Sequence, residues 1–423
     1  MNFLTKILAT PLYKALSLNS ISILLKIGIG FITSKVIAVF LGPSGMALVG
    51  NFRNFISSTE AFATLGFETG LVKYVAEHKA EKEKLTQTLS TVFISVVVAS
   101  LIIGSVLFIG APYFNHLIFN GFDFAFVFKV FAFALPFYIA NIFLVAAING
   151  LGSYKKVVAI NIIGNFIGLL LSVLLIFNYK INGALVSIVF TPALLFFVSF
   201  FFLNKEIPIV KHVHFKFYSF SKLNKLASYS LMAIVSSVIG PLVLFAVRKN
   251  IIHHIGLKEA GYWEAMNRMS TYYFLFITSI LGLYFLPKLA VAKDNSETKK
   301  LFWSYYKGIM PIFLVGLLLI FVLKEYIIGL VFTKDFLPIA KLFCWQLIGD
   351  ALKAASYILG FQFYAKKLTK AFIVSEICSL AVLYGSSLYF MNLFQLEGIV
   401  MAYAFTYLVY LIVLATYFRK SLF

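Results

Sequence analysis

The amino-acid sequence predicts an all-α polytopic membrane protein, with twelve transmembrane helices in two parallel-repeat six-helix bundles. Three observations carry this: long uninterrupted apolar runs, a one-sided distribution of Lys and Arg, and a charged motif that recurs half a chain apart. The chain is 61% hydrophobic with only 12% charged residues, and a mean hydropathy of +0.95. A soluble domain is nearer about 45–50% apolar and about 25% charged. Runs of this length exclude an outer-membrane barrel, whose strands alternate apolar and polar over about ten residues each.

A span needs about 20 mostly apolar residues. Read in order, spans fall at about 17–40, 46–70, 88–111, 124–149, 157–177, 184–203, 226–249, 261–287, 301–323, 338–364, 371–390 and 398–418. Between them, 22 basic residues lie on the side of the N-terminus, against Lys180, Lys258, Lys324 and Lys334 on the other. The positive-inside rule then makes both termini cytoplasmic. Most of the +20 net charge is therefore topological. It suits anionic lipid headgroups rather than nucleic acid. Cys344 and Cys378 both lie in apolar segments, so neither a disulfide framework nor a metal cluster is expected. No cleavable leader is visible.

The third observation concerns "LVGNFRN" at the start of span 2 and "WEAMNRM" at the start of span 8. Arg53 and Arg268 are 215 residues apart, each three residues after a small residue and each preceded by a turn, "GPSG" or "GLKEAG". Six spans is an even number, so both halves enter from the same side, as parallel repeats do. The expected organisation is an N-terminal bundle at 1–203, a cytoplasmic linker at 204–225 and a C-terminal bundle at 226–423.

Charges at bilayer depth are costly and normally face a bundle interior or a wet cavity. Ten basic residues fall within the spans. Lys307 and Lys341 lie near helix ends, where long side chains reach the headgroups, and Arg248 and Lys249 at the end of span 7 have the same escape. Lys129, about two turns in, is ambiguous. Lys26, Lys35, Arg53, Arg268 and Lys353 remain. Lys26 lies roughly 13 Å into span 1 and Arg53 about 10 Å into span 2. Span 2 carries Gly50, Arg53, Ser57, Glu60 and Thr64 at helical spacing, with Arg53 and Glu60 on one face. Span 10 carries Gln346, Asp350, Lys353 and Tyr357, and spacing allows Asp350 and Lys353 to pair. Glu264 and Arg268 stand at i,i+4 in the favourable order. Glu376 lies near one end of span 11. Unpaired cations suit an anionic ligand, and the arginine fork suits phosphate oxygens.

Prolines 136, 192 and 241 fall within spans and read either as kinks or as packing irregularities. Gly164 and Gly168 form a GxxxG close-packing signal. All six histidines read as loop residues, and no P-loop, HExxH or nucleophile elbow appears.

"LLKIGIGFITSKVIAVFLGPSGMALVGNFRN" resembles the start of Wzx-type flippases of the O-antigen and lipid III branch. So do "VKYVAEH", "YSLMAIVSSVIGPLVLFAVRK", "GYWEAMNRMSTYYFLFITSILGLYFLPKL" and "FCWQLIGDALKAASYILG", in order along nearly the whole chain. The resemblance implies membership of the multidrug/oligosaccharidyl-lipid/polysaccharide exporter superfamily, with a MATE-like V-shaped fold around a central cavity. The implied substrate is an undecaprenyl-diphosphate-linked oligosaccharide, moved from the cytoplasmic to the periplasmic leaflet of the bacterial inner membrane by alternating access. The implied partners are membrane lipids, a polysaccharide polymerase and a chain-length regulator. Lys26, Lys35, Arg53, Arg248, Lys249, Asp350, Lys353 and Glu376 match the family pattern; Glu264 and Arg268 depart from it. On this reading Arg53 and Lys26, supported by Lys35 and Lys353, bind the diphosphate. Glu60, Asp350 and Glu376 carry protons or serve as counter-ions. Glu264 and Arg268 form a structural or glycan-specific pair. No catalytic residue, metal or cofactor is expected. Two alternatives stand beside it. A drug or organic-cation antiporter on the same fold would favour acids over cations in its cavity. A polymerase or ligase would need a substantial outside loop, whereas the longest here spans only 324–337.

Overall fold

A computed structural model describes residues 11–119, 121–220, 223 and 235–422. Among them there is helix and no strand, as expected where lipid leaves the backbone no partner outside its own segment. Seven helical stretches are long and apolar enough to cross a membrane. Three of these are double-length and broken by one residue in the left-handed region: α1 (Pro11–Ala63) at Gly42, α6 (Tyr154–Asn204) at Lys180 and α14 (Thr369–Tyr417) at Gln395. Each arm has the length of a crossing.

The described residues divide into two units, Met1–Val36 with Asn51–Leu242, and Ile37–Gly50 with Val243–Phe423. In the first, the second arm of α1 is followed by α2 (Glu68–His78), α3 (Lys82–Ile109), α4 (Ala111–Phe119), α5 (Ala125–Gly150) and α6. Its core centres on Phe52, whose ring stands edge-on to Phe128 and Phe131 with centroids 5.6 and 6.2 Å away. Asn51 Nδ2 donates to the Ile118 carbonyl at 3.2 Å and pins α1 to α4. The GxxxG pair acts within α6: a side chain at Gly164 would lie 2.6 Å from Leu195, and one at Gly168 3.0 Å from Thr191. The two arms therefore pack through those glycines. Segment 205–220 docks on this unit. Ser90 Oγ donates to the His212 carbonyl at 2.9 Å and accepts from the His214 amide at 3.1 Å, while the Ser219 amide donates to Thr91 Oγ1 at 3.1 Å.

Part of the expected span 226–249 lies outside the described residues. From there the second unit runs through α7 (Gly240–His254), α8 (Leu257–Ile280), α9 (Leu286–Val291), α10 (Asn295–Gly308), α11 (Met310–Val322), α12 (Lys324–Val331), α13 (Phe343–Ala365), α14 and the short α15 (Arg419–Leu422). Tyr305 and Tyr306 on α10 donate to the carbonyls of Ala354 and Ala355 on α13, at 2.9 and 2.8 Å. The turn "GPSG" belongs to this unit. Gly42 has φ 63° and ψ −168°, and Pro43 opens the next arm, where a missing N–H costs nothing. That arm begins at Pro43, not at residue 46. Gly261 on α8 lies so close to the Pro43 carbonyl that any side chain there would overlap it.

The breaks do not fall at the in-span prolines. No residue near Pro136 or Pro192 leaves helical φ/ψ. The two later breaks share one geometry: Lys180 has φ 51° and ψ −124°, Gln395 φ 53° and ψ −131°. Three residues on, Gly183 and Gly398 leave room for a Leu175 or Phe390 carbonyl only 1.9 or 2.0 Å from where a Cβ would be. His78, His116, His253 and His254 sit in last turns of helices rather than in loops.

Candidate functional site

The expected site residues separate by unit. Lys26, Lys35, Arg53 and Glu60 lie in the first; Glu264, Arg268, Asp350, Lys353 and Glu376 lie in the second. In the first unit, Lys26 is exposed on the first arm of α1 and Lys35 half-buried nine residues on. Arg53 and Glu60 are half-buried on the second arm. Tyr138, on α5, donates to Glu60 Oε2 at 2.6 Å. This places the Glu60 end of the stripe against α5.

In the second unit, Asp350 is fully buried, and its carboxylate is surrounded by donors. Ser270 Oγ donates at 2.7 Å and Tyr403 at 2.8 Å, Tyr273 donates from α8, and Gln346 reaches both oxygens at 3.4 and 3.5 Å. A buried carboxylate is tolerable only when its lone pairs are satisfied in this way. The expected Asp350–Lys353 ion pair does not form. Hydroxyls from α8 and α14 take its place. Lys353 points elsewhere, its Nζ 4.8 Å from the ring centre of Phe274, 5.2 Å from Tyr407, 5.6 Å from Tyr403 and 5.7 Å from Tyr357. The faces of four rings compensate the cation. Glu376 is half-buried on the first arm of α14.

The largest departure from expectation is Arg248. Its place near the end of a span suggested reach to the headgroups, yet it is only 2% exposed. It pairs with Glu264 and stacks on Trp263, with its guanidinium 5.2 Å from the ring centre. Glu264 also accepts from Arg268 Nε at 3.2 Å, so the predicted i,i+4 pair is one half of a buried Arg–Glu–Arg triad. Gly50 makes the triad possible: a Cβ there would stand 2.6 Å from the Glu264 carboxyl carbon.

Sequence reasoning missed Tyr138, Ser270, Tyr273, Tyr403 and Tyr407. Only the last two left a signal, since Tyr403, Tyr407 and Tyr410 recur at i, i+4, i+7 on one face of α14.

Just beyond the end of α6, Glu206 pairs with Lys156 at 2.8 Å and accepts from Ser153. Partial desolvation works to raise its carboxyl. Hydrogen bonds from Lys156 and Ser153, with the charges of Lys156 and Lys79, overcome this and hold it below the usual carboxylate range.

Comparison with known proteins agrees with the resemblance read from the sequence. The chain is 26% identical over 402 residues to the lipid III flippase of Escherichia coli (strain K12), covering 94% of this chain and 96% of that one. The same figures hold for the lipid III flippase of Shigella flexneri. Among solved structures, an inward-facing multidrug resistance transporter of the MATE family superposes with a TM-score of 0.77 at 15% identity, covering 93% of this chain and 94% of that one. The lipid II flippase MurJ in an inward closed conformation superposes with a TM-score of 0.74 at 15% identity, covering 96% and 87%. The fold is therefore that of the MATE and MurJ transporters, and, with residues 12–290 matching the family described as "Polysaccharide biosynthesis protein", the chain belongs to that family.

Proposed function

We propose that the chain is a flippase, not an enzyme, which moves an undecaprenyl-diphosphate-linked oligosaccharide from the cytoplasmic to the periplasmic leaflet of a bacterial inner membrane by alternating access of its two units. The observation that carries this reading is its end-to-end relationship to the lipid III flippases. The excess of cations over acids in the spans supports it, since a diphosphate moved through the membrane needs its hydration replaced. The repeat unit is of the O-antigen or lipid III kind.

The topology we assign is twelve crossings in two parallel repeats, with both termini cytoplasmic. Matched spacing supports the repeats: Lys180 and Gln395, Gly183 and Gly398, and Leu175 and Phe390 are each 215 residues apart, as are Arg53 and Arg268. We assign the diphosphate to Arg53, Lys26 and Lys35 of the first unit. Lys353 lies within its aromatic cage and has less to gain. Glu60 and Glu376 are the acids left for proton coupling, because Asp350 already spends its oxygens on four donors.

Arg53→Ala and Arg53→Lys, expressed in a glycan-deficient host, test the assignment. Loss of surface glycan at unchanged membrane level is expected, and full restoration by both variants overturns it. A second reading, a drug or organic-cation antiporter, is favoured by the MATE-like fold. Drug resistance without glycan rescue would select it.

A further inference from the structure

We propose that a groove within the first unit, between α3, α5 and the second arm of α6, binds one anionic phospholipid. Its phosphodiester would rest on Lys129 and one acyl chain would run along the groove. Lys129, ambiguous by its place in the sequence, is exposed, with its Nζ 5.8 Å from the ring centre of Phe108. It makes no ion pair among the described residues. It stands four residues after Ala125, the first residue of α5, about 6 Å along the helix. At that depth a lysine stem lies along apolar surface while its ammonium reaches the headgroup oxygens.

The groove follows from side-chain size and helical spacing. Lys129, Phe133 and Phe137 recur at i, i+4, i+8 on α5, and Phe190 and Phe197 stand two turns apart on α6. Between these stripes Ala134 and Ala193 are too short to fill the gap. The cavity left is about 450 Å³, within the range of about 300–1,000 Å³ usual for ligand sites. At one end Phe108 packs edge-on against Phe133, and at the other Phe137 stacks on Phe197, each pair with centroids 6.2 Å apart. Past that end Ser199 Oγ donates to Asn141 Oδ1 at 2.7 Å and ties α6 to α5.

Charge and length select the occupant. Every lining residue except Lys129 is apolar, so the groove matches an amphiphile with one charged end and a long hydrocarbon body. From Lys129 to Phe137 is about 12 Å along the helix, close to half the roughly 30 Å hydrocarbon core. An acyl chain that starts at the headgroups and ends near the midplane has that reach. A cation at bilayer depth needs a counter-charge, and one phosphodiester supplies it. A polyprenyl diphosphate brings at least two negative charges to one lysine. Phosphatidylethanolamine carries its own ammonium, which competes with Lys129 for the phosphate. Phosphatidylglycerol, with one net negative charge, is the class that fits.

The test uses the full chain in lipid nanodiscs containing a trace of phosphatidylglycerol or phosphatidylethanolamine with a photoreactive diazirine midway along one acyl chain. Adducts are mapped by peptide mass spectrometry. Residues 130–137 and 190–197 should be labelled about fivefold or more better by phosphatidylglycerol, the factor a basic residue near the surface gives toward anionic lipid. Lys129→Gln should lose that preference and Lys129→Arg should keep it. Equal labelling of these segments by the two lipids in wild type overturns the site. So does equal phosphatidylglycerol labelling of wild type and Lys129→Gln. Unlabelled competitors identify the occupant. Phosphatidylglycerol should displace the label, and displacement by undecaprenyl diphosphate at a lower concentration overturns the phospholipid in favour of a polyprenyl tail.

Discussion

Glu60 in the first unit is half-buried and accepts a hydrogen bond from Tyr138. Asp350 in the second is fully enclosed and accepts from Ser270, Tyr273, Gln346 and Tyr403. Arg53 of the first unit is likewise half-buried, while its counterpart 215 residues on, Arg268, is buried with Glu264. The same residue types at bilayer depth thus follow two regimes. In the first unit they keep part of their surface exposed. In the second they are built into the packing. The difference teaches that an intramembrane charge is informative only together with its partners, because a fully enclosed and compensated ion holds helices together.

That contrast can be broken by substitution. The largest effect is expected for Glu264→Ala, which strands two buried arginines and should cost about 3–5 kcal/mol of stability, read as a drop in the thermal midpoint of the purified protein. Glu60→Gln should stay within about 1 kcal/mol in the same assay. Equal losses would erase the distinction between the units. Asp350→Ala removes the acceptor that Ser270, Tyr273, Tyr403 and Gln346 share and should cost roughly 2–4 kcal/mol, with the protein made but less stable. Gly50→Ala pushes a methyl into the Glu264 carboxylate and should cost about 1–3 kcal/mol by overpacking. Combining it with Glu264→Ala should cost less than the two single losses added, since the obstruction is then gone.

The smallest effect concerns Glu206. Its depressed pKa means that the folded state binds the proton less readily than the unfolded chain. Its stabilisation is therefore present above the ordinary carboxylate pKa and is lost as pH falls through the folded-state value. Because the pair is partly solvent-exposed, Glu206→Gln should change stability by no more than about 1 kcal/mol at neutral pH, and the difference from wild type should vanish in acid.

The long apolar helices were legible because hydropathy and length suffice to mark them, and the glycines at 42, 164 and 168 announced a turn and a close contact. The stripe Gln346, Asp350, Lys353, Tyr357 was also readable, because residues on one helix face share a simple period. Who pairs with whom was not. Tyr273 and Tyr403 reach Asp350 from 77 and 53 residues away, and no local pattern couples them. Arg248 was misjudged for the same reason: its depth in the sequence suggested an interface, but its burial is decided by Glu264, on the next helix. The breaks at Lys180 and Gln395 were hidden as well, since neither residue type favours positive φ. Their signature was the glycine three positions later.

The burial of Arg248 also bears on how the chain is made. Entering a bilayer alone, a helix with one arginine at its centre pays about 2.5–3.5 kcal/mol on insertion scales, less nearer an end. Its compensating carboxylate lies on α8, and only Ile255 and Gly256 separate α7 from α8. The order of synthesis therefore delivers the counter-charge 16 residues after the charge. α7 and α8 gain most by leaving the translocon together as a hairpin, already paired.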